Sequence, residues 1–173
     1  AYPFATYFIL RDPRDVAISH VHYVTEMEPR HAHHRLFAHE YATFEDRLAA
    51  TITGVPQAEP PLPSLAERFE PYLGWLENPN VLTLQYEAFF GERQSVLRAI
   101  LEHAGRRGFP FSRSIEEAIQ ILEDHIQPQR SPTFRKGGTG GWREVFTPQH
   151  KQLFKEVCPG ILTMLGYEKD ENW

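Results

Sequence analysis

The sequence predicts an α/β fold in which a small parallel sheet is flanked by about six helices. Two apolar runs, residues 7–10 and 81–86, are short and rich in strand-forming residues, which is typical of parallel strands covered on both faces. Capped amphipathic helices lie between them, so the two strands form a βαβ-like crossover. A chain of 173 residues with 41% hydrophobic content is sufficient for one domain with its own core.

The first strand leads directly into a helix start. Arg11 ends the apolar run, Asp12 can cap the next helix, and Pro13 suits its first position. The turn from a parallel strand to a helix is where α/β folds bind anions, and Arg11 lies at that turn, with Ser19 two turns farther along the helix. The residues alone leave a second interpretation open, in which Arg11 pairs with Asp12 or Asp15 and Ser19 faces water.

Capping signals and apolar periodicity predict the other helices. Residues 64–67 and 114–117 are capping boxes, and Thr147 with Pro148 caps the last long helix. Apolar spacing predicts further helices over residues 44–52 and 92–104. Two strands are too few for a sheet that helices cover on both faces. We therefore expect the two strands to be parallel, adjacent or nearly adjacent, and next to an unpaired position.

Histidines are concentrated in one part of the chain, with six of the nine lying between positions 20 and 39. The candidate metal ligands are His31, His33, His34 and His39. No cysteine lies near them and they do not follow a ligand spacing, so we expect no metal there. Residues 25–40 are polar and aperiodic, which predicts a mobile surface loop or lid.

Charge and cysteine content exclude several classes of protein. The net charge of −5 disfavours broad nucleic-acid binding but permits a local basic pocket. A single cysteine, Cys158, excludes an internal disulfide framework and favours a reducing, cytoplasmic location. No apolar run has the length of a membrane span.

A second basic feature is the glycine loop, defined as residues 134–143 with the sequence FRKGGTGGWR. Its four glycines permit left-handed backbone conformations that turn several N–H groups toward one anion. Arg135 and Lys136, a bidentate fork and a compact point charge, precede the glycines, and Trp142 would anchor the end of the loop. Composition alone leaves two interpretations, a phosphate-binding loop and a flexible hairpin tip with solvated charges.

Together, the stretches YFILRDPRDVAIS and FRKGGTGGWREVFTP resemble the cytosolic-type sulfotransferases, which use 3′-phosphoadenosine 5′-phosphosulfate (PAPS). In that family a strand ends in Arg before an (Asn/Asp)-Pro-(Lys/Arg)-Asp-Val helix, and a Ser follows the Arg by eight residues. A distant loop reads Arg-Lys-Gly-x-x-Gly-Asp-Trp. The resemblance covers nearly the whole chain and implies a P-loop-like parallel sheet.

The resemblance also implies site residues and a reaction. The nucleotide's 3′-phosphate would be bound by Arg11, Ser19, Arg135, Lys136 and the amide of Gly137. Tyr86 corresponds to a family tyrosine near the nucleotide. The implied reaction moves a sulfuryl group from PAPS to a hydroxyl or amine of a small-molecule acceptor. It leaves 3′-phosphoadenosine 5′-phosphate (PAP) and needs no metal.

The chain departs from the family pattern in three places. Gly141 stands where the family has Asp, and residues 124–133 do not match the residues that flank adenine in many members. The family's N-terminal strand, PxSGTT-type loop and catalytic His are not found in the sequence. The resemblance therefore implies that residues 1–173 are the C-terminal portion of one sulfotransferase domain, inactive alone, with a His outside them as the base.

Other roles remain open at this stage. His20 and His22 are secondary candidates for the base, and Tyr23 is a candidate for the wall of the acceptor site. A nucleotide-binding or scaffold fragment without catalysis and a P-loop kinase relative are the alternative functions. A GKS/T loop with a Mg²⁺-binding carboxylate would indicate the kinase.

Overall fold

The sheet consists of two parallel strands in the computed structural model, which describes residues 3–132, 134 and 137–173. Strand β1, Thr6–Leu10, pairs with β2, Val81–Gln85, with Thr6 opposite Val81 and Leu10 opposite Gln85. This confirms the α/β class and the parallel pairing. The prediction that β1 is buried along its whole length is wrong, because Ile9 is 53% exposed.

Nine α-helices occur in the described part of the chain. They are α1 (Pro13–His22), α2 (Phe44–Thr53), α3 (Leu65–Leu73), α4 (Ala88–Gly91), α5 (Arg93–Arg106), α6 (Ile115–His125), α7 (Trp142–Val145), α8 (Pro148–Val157) and α9 (Ile161–Met164). Two π-helical turns, Tyr23–Met27 and Leu36–Glu40, and a 3₁₀ turn, Pro128–Arg130, complete the inventory. The count exceeds the predicted six because α4, α7 and α9 are single turns, too short to show apolar periodicity.

The predicted caps are present. The Asp12 side chain accepts a hydrogen bond from the Arg14 amide at 2.9 Å, at the start of α1. Ser114 and Thr147 form capping boxes at the starts of α6 and α8. The Ser64 hydroxyl likewise accepts from the amide of the third residue beyond it, before α3. These helix starts are therefore fixed by local sequence, as capping chemistry requires.

The chain forms two compact units. The first comprises Ala1–Arg11 and Tyr72–Gly138, and the second comprises Asp12–Pro71 and Thr139–Trp173. In the first unit the sheet packs against α5, where the Tyr7 hydroxyl donates to the Ile100 carbonyl at 3.1 Å. In the second unit α2 packs against α1 and α8. The buried residues at its centre include Ala17, Val21, Leu48, Ile52, Phe154 and Leu162.

Residues 25–40 are not the loop that the sequence predicts. The two π-helical turns cover half of this segment, and Phe37 within it is fully buried. His33 is also buried, and its Nε2–H donates to the Pro60 carbonyl at 2.7 Å. The loop prediction failed because a few apolar positions order the segment without any 3.6-residue period.

None of the helices in the described ranges combines the length and the apolarity needed to cross a membrane.

Candidate functional site

Arg11 occupies the carboxyl end of the sheet in the first unit. Its guanidinium lies over the ring of Tyr86, 4.8 Å from the ring centroid, and its Nη2 donates to the Gly138 carbonyl at 3.3 Å. The Tyr86 amide donates to the Leu10 carbonyl at 2.6 Å, which fixes Tyr86 just beyond β2. The structure thus brings together the strand-end arginine, the predicted nucleotide tyrosine and the glycine loop.

The Arg11 guanidinium retains hydrogen-bonding capacity in this arrangement. Its Nε–H is buried and has no hydrogen-bond partner among the described residues. A buried donor without an acceptor is costly, so an anion that reaches this guanidinium would gain a charge-assisted hydrogen bond.

Three of the four glycines of the loop have the positive φ that the sequence predicts, and Gly141 does not. Gly137 has φ +62° and Gly138 has φ +118°. A Cβ on Gly137 would lie 3.0 Å from the Phe134 ring, so that ring covers the start of the glycine run. Arg135 and Lys136 lie outside the described residues, and their predicted role stays a prediction.

In the second unit, two amides of the glycine loop bind an internal carboxylate. The Gly140 N–H donates to Asp15 Oδ2 at 2.6 Å, and the Trp142 N–H donates to Asp15 Oδ1 at 2.9 Å. For these two amides the anion is an internal side chain and not a ligand. Sequence reasoning missed Asp15 as a loop partner, although the residue stands in the first turn of α1 within the same motif as Arg11.

Arg14 secures the side chain of Trp142. The guanidinium is fully buried and pairs with Asp12 at 2.7 Å and Glu168 at 2.6 Å. It lies 3.6 Å from the centroid of the Trp142 ring and 4.6 Å from that of Trp173. Trp142 is itself 5% exposed, which confirms its predicted anchoring role. Asp12 and Asp15 therefore have partners other than Arg11, against the second interpretation of that motif.

Ser19 and the neighbouring residues lie on or after α1 in the second unit. Ser19 is partly buried, and the Tyr23 ring makes an edge contact with His31 at 5.9 Å between centroids. Burial, together with the charges of Arg68, His31 and His33, lowers the pKa of His20 to about 3. A neutral imidazole with so low a pKa is a weak base, which argues against His20 as the general base.

The histidine-rich part of the chain shows no metal-binding geometry in the described residues. No group of three or more His, Cys, Asp or Glu side chains there is arranged to hold a metal ion. His22 instead lies beside a carboxylate, with Nδ1 2.8 Å from Glu26 Oε1.

A family comparison decides the classification. The sequence-family model described as the sulfotransferase domain matches residues 7–166, which is most of the chain. The chain belongs to the sulfotransferase family. No curated protein matches it.

Two solved structures share its fold. Mouse sulfotransferase SULT7A1 complexed with PAP has a TM-score of 0.63 and 18% identity, covering 95% of this chain and 62% of that one. Retinol dehydratase in complex with androsterone and inactive cofactor PAP has a TM-score of 0.60 and 21% identity, covering 91% of this chain and 47% of that one. The chain therefore spans less than two thirds of either protein. At these identities the likeness shows the sulfotransferase fold alone.

Proposed function

We propose that the chain supplies the nucleotide-binding part of a PAPS-dependent sulfotransferase and binds the 3′-phosphate of PAPS and PAP. The observation that carries this proposal is the position of Arg11, between the Tyr86 ring and the carbonyl of Gly138. Family membership supports the same conclusion. The two related structures were solved with PAP, which makes that nucleotide the ligand to test.

The physical case begins with the guanidinium of Arg11. Arginine has five N–H donors, and in Arg11 the Nη2 group donates to the Gly138 carbonyl at 3.3 Å, which is a long hydrogen bond. A phosphate dianion offers several strong acceptors and complements the charge. The Tyr86 ring, 4.8 Å away, holds the guanidinium by a cation–π contact and leaves its edge available.

Further contacts to the same phosphate are proposed from the family pattern. Ser19, Arg135, Lys136 and the Gly137 amide stand at the matching positions. Each hydrogen bond to a charged group contributes about 1.5–3 kcal/mol, so several of them would select strongly for a 3′-phosphorylated nucleotide.

The proposed reaction is an in-line sulfuryl transfer to an acceptor hydroxyl or amine. Such a transfer resembles phosphoryl transfer, in which the protein contributes mainly positioning and charge stabilisation. In this proposal the cations of the chain fix the nucleotide, and therefore the orientation of the donor. The proposed reaction proceeds without a metal, so turnover of PAPS should persist in EDTA.

Calorimetric titration with two nucleotides tests the proposal. PAP carries the 3′-phosphate and adenosine 5′-phosphosulfate lacks it. We expect Arg135→Ala to weaken PAP binding by tens- to hundreds-fold, about 2–3 kcal/mol, and to leave adenosine 5′-phosphosulfate nearly unchanged. The matched control is Arg130→Ala, because Arg130 is exposed in the nearby 3₁₀ turn and lies outside the family pattern.

Two outcomes would contradict parts of the proposal. Equal losses for both nucleotides would mean that Arg135 does not recognise the 3′-phosphate. Binding of PAP by the intact protein without any transfer from PAPS would favour the non-catalytic nucleotide-binding alternative.

A further inference from the structure

We propose that Asp15 is the positioning residue of the glycine loop, holding the main chain at Gly140 and Trp142 so that the preceding glycines present a defined backbone to a phosphate. This inference rests on the proposed function. Asp15 touches no substrate in this account and acts only through the loop.

The contacts of Asp15 are those of a carboxylate that binds backbone rather than a ligand. Each of its two oxygens accepts a separate amide, from Gly140 at 2.6 Å and from Trp142 at 2.9 Å. Asp15 is 4% exposed, so water competes little for either oxygen. Hydrogen bonds between an ionised carboxylate and an amide are among the stronger ones in proteins. Together, the two bonds fix the backbone on both sides of Gly141.

The glycines of the loop need such a contact because they carry no side chains to pack. Glycine loses more backbone freedom on ordering than any other residue, and the loop contains four glycines. Gly140 has φ +75°, and a Cβ there would lie 2.6 Å from Arg143 Nη1. Gly141 contributes no side chain, and a Cβ at that position would lie 3.8 Å from Asp15 Oδ1. The carboxylate of Asp15 therefore supplies, next to Gly140 and Gly141, an ordering contact that these residues cannot make through side chains of their own.

The position of Asp15 suits this task. It stands in the first turn of the ten-residue helix α1, where unpaired amides favour a negative charge. Its neighbour Arg14 lies 3.6 Å from the centroid of the Trp142 ring. Two consecutive residues of helix α1 thus hold Trp142. Asp15 binds the main-chain N–H of Trp142, and Arg14 lies over the Trp142 ring. Removing the Asp15 charge should release the backbone and leave the ring in place.

The test compares Asp15→Asn with Asp170→Asn in the intact protein. Asp170 is the matched control because its carboxylate also accepts a backbone amide, that of Asn172 at 2.7 Å, but on the exposed surface of the same unit. For Asp15→Asn we expect amide exchange at Gly140 and Trp142 to accelerate at least about tenfold. PAP affinity should fall by about five- to thirtyfold, and affinity for adenosine 5′-phosphosulfate should not change. The control should change none of these quantities.

A double-mutant cycle separates positioning from a general loss of stability. If Asp15 acts through the loop that binds the 3′-phosphate, its effect on PAP affinity should largely disappear in an Arg135→Ala background. Asp15→Glu keeps the charge on a longer side chain and should restore part of the PAP affinity. This second variant also keeps the test valid if Asp15→Asn does not fold.

The outcomes that overturn the inference are distinct from those that overturn the proposed function. Unchanged amide exchange at Gly140 and Trp142 in Asp15→Asn would overturn the inference. Equal losses of affinity for PAP and adenosine 5′-phosphosulfate would also overturn it. So would additive effects of Asp15→Asn and Arg135→Ala on PAP affinity. If the unmodified protein bound no PAP, the proposed function would fail. The exchange rates would then decide by themselves whether Asp15 holds the loop.

Discussion

The glycine loop and the histidine-rich segment, residues 25–40, are ordered by different forces. Both are polar and aperiodic, and both connect helices. The histidine-rich segment is held by hydrophobic burial, with Phe37 fully inaccessible to solvent. The glycine loop is held by charged side chains outside it, Arg11 in the first unit and Asp15 in the second. Beside the loop, the Nε–H of Arg11 has no hydrogen-bond partner among the described residues and can therefore bind a charged ligand.

The histidines of the segment reinforce this difference. His33 donates to the Pro60 carbonyl and His34 Nδ1–H donates to the Val24 carbonyl, each at 2.7 Å. The ring of His20 packs edge-on against Phe37. These imidazoles therefore serve as packing and hydrogen-bonding groups in the second unit.

The largest effect is expected from Phe37→Ala. Removing a fully buried aromatic ring should lower the free energy of unfolding by about 3–5 kcal/mol, because it leaves a cavity beneath the segment. Urea denaturation measures this change. His39→Ala, at an exposed position of the same turn, is the control and should cost much less. A loss of under about 1 kcal/mol for Phe37→Ala would show that burial does not order the segment.

The second largest effect is expected from acid, which should lower the free energy of unfolding through His20. The pKa of His20 is lowered to about 3, from an ordinary value of 6.5, so below pH 6.5 the unfolded chain binds a proton that the folded chain does not. The free energy of unfolding should therefore fall as the pH falls from about 6.5, by about 2 kcal/mol at pH 5. Burial also lowers the pKa of His31, which acts in the same direction.

The variant His20→Gln isolates that contribution. It removes the titrating group, so the loss of stability between pH 7.5 and pH 5 should be smaller than in the unmodified protein. Urea unfolding at several pH values gives both curves. Parallel curves would mean that His20 does not carry the effect.

A smaller effect is expected within the glycine loop. Gly138 has φ +118°, where a side chain is strained, and a Cβ there would meet no neighbour. Gly138→Ala should therefore cost about 1–2 kcal/mol from backbone strain alone. Gly141, with φ −60°, is the matched control, and Gly141→Ala should be nearly neutral or slightly stabilising. Thermal unfolding of both variants measures the difference, and equal effects would refute the assigned loop conformation.

Local chemistry made much of the fold predictable from sequence. The two strands and the capped helices follow from apolar runs and from Asp12, Ser114 and Thr147, whose effects reach only a few residues. Residues 25–40 were mispredicted because the burial of Phe37 depends on tertiary packing, which no local pattern encodes.

The site was only partly predictable for the same reason. The resemblance to the sulfotransferases placed both Arg11 and Tyr86 near one nucleotide, and in the structure the two meet because each follows one of two paired parallel strands. The contact from Asp15 to Gly140 joins residues that are 125 positions apart, and it could not be read from either motif. An acidic residue at that position otherwise resembles an ordinary first-turn carboxylate.

The central claim is that the glycine loop, and not the histidine-rich segment, responds to a 3′-phosphorylated nucleotide. Hydrogen exchange of the intact protein with and without saturating PAP tests it most directly, with adenosine 5′-phosphosulfate as the control ligand. We expect PAP to slow exchange at Gly137, Gly138 and Thr139 by at least about tenfold and to leave exchange in residues 25–40 unchanged. The control ligand should protect neither region. Protection confined to residues 25–40, or no protection of the loop at saturating PAP, would contradict it.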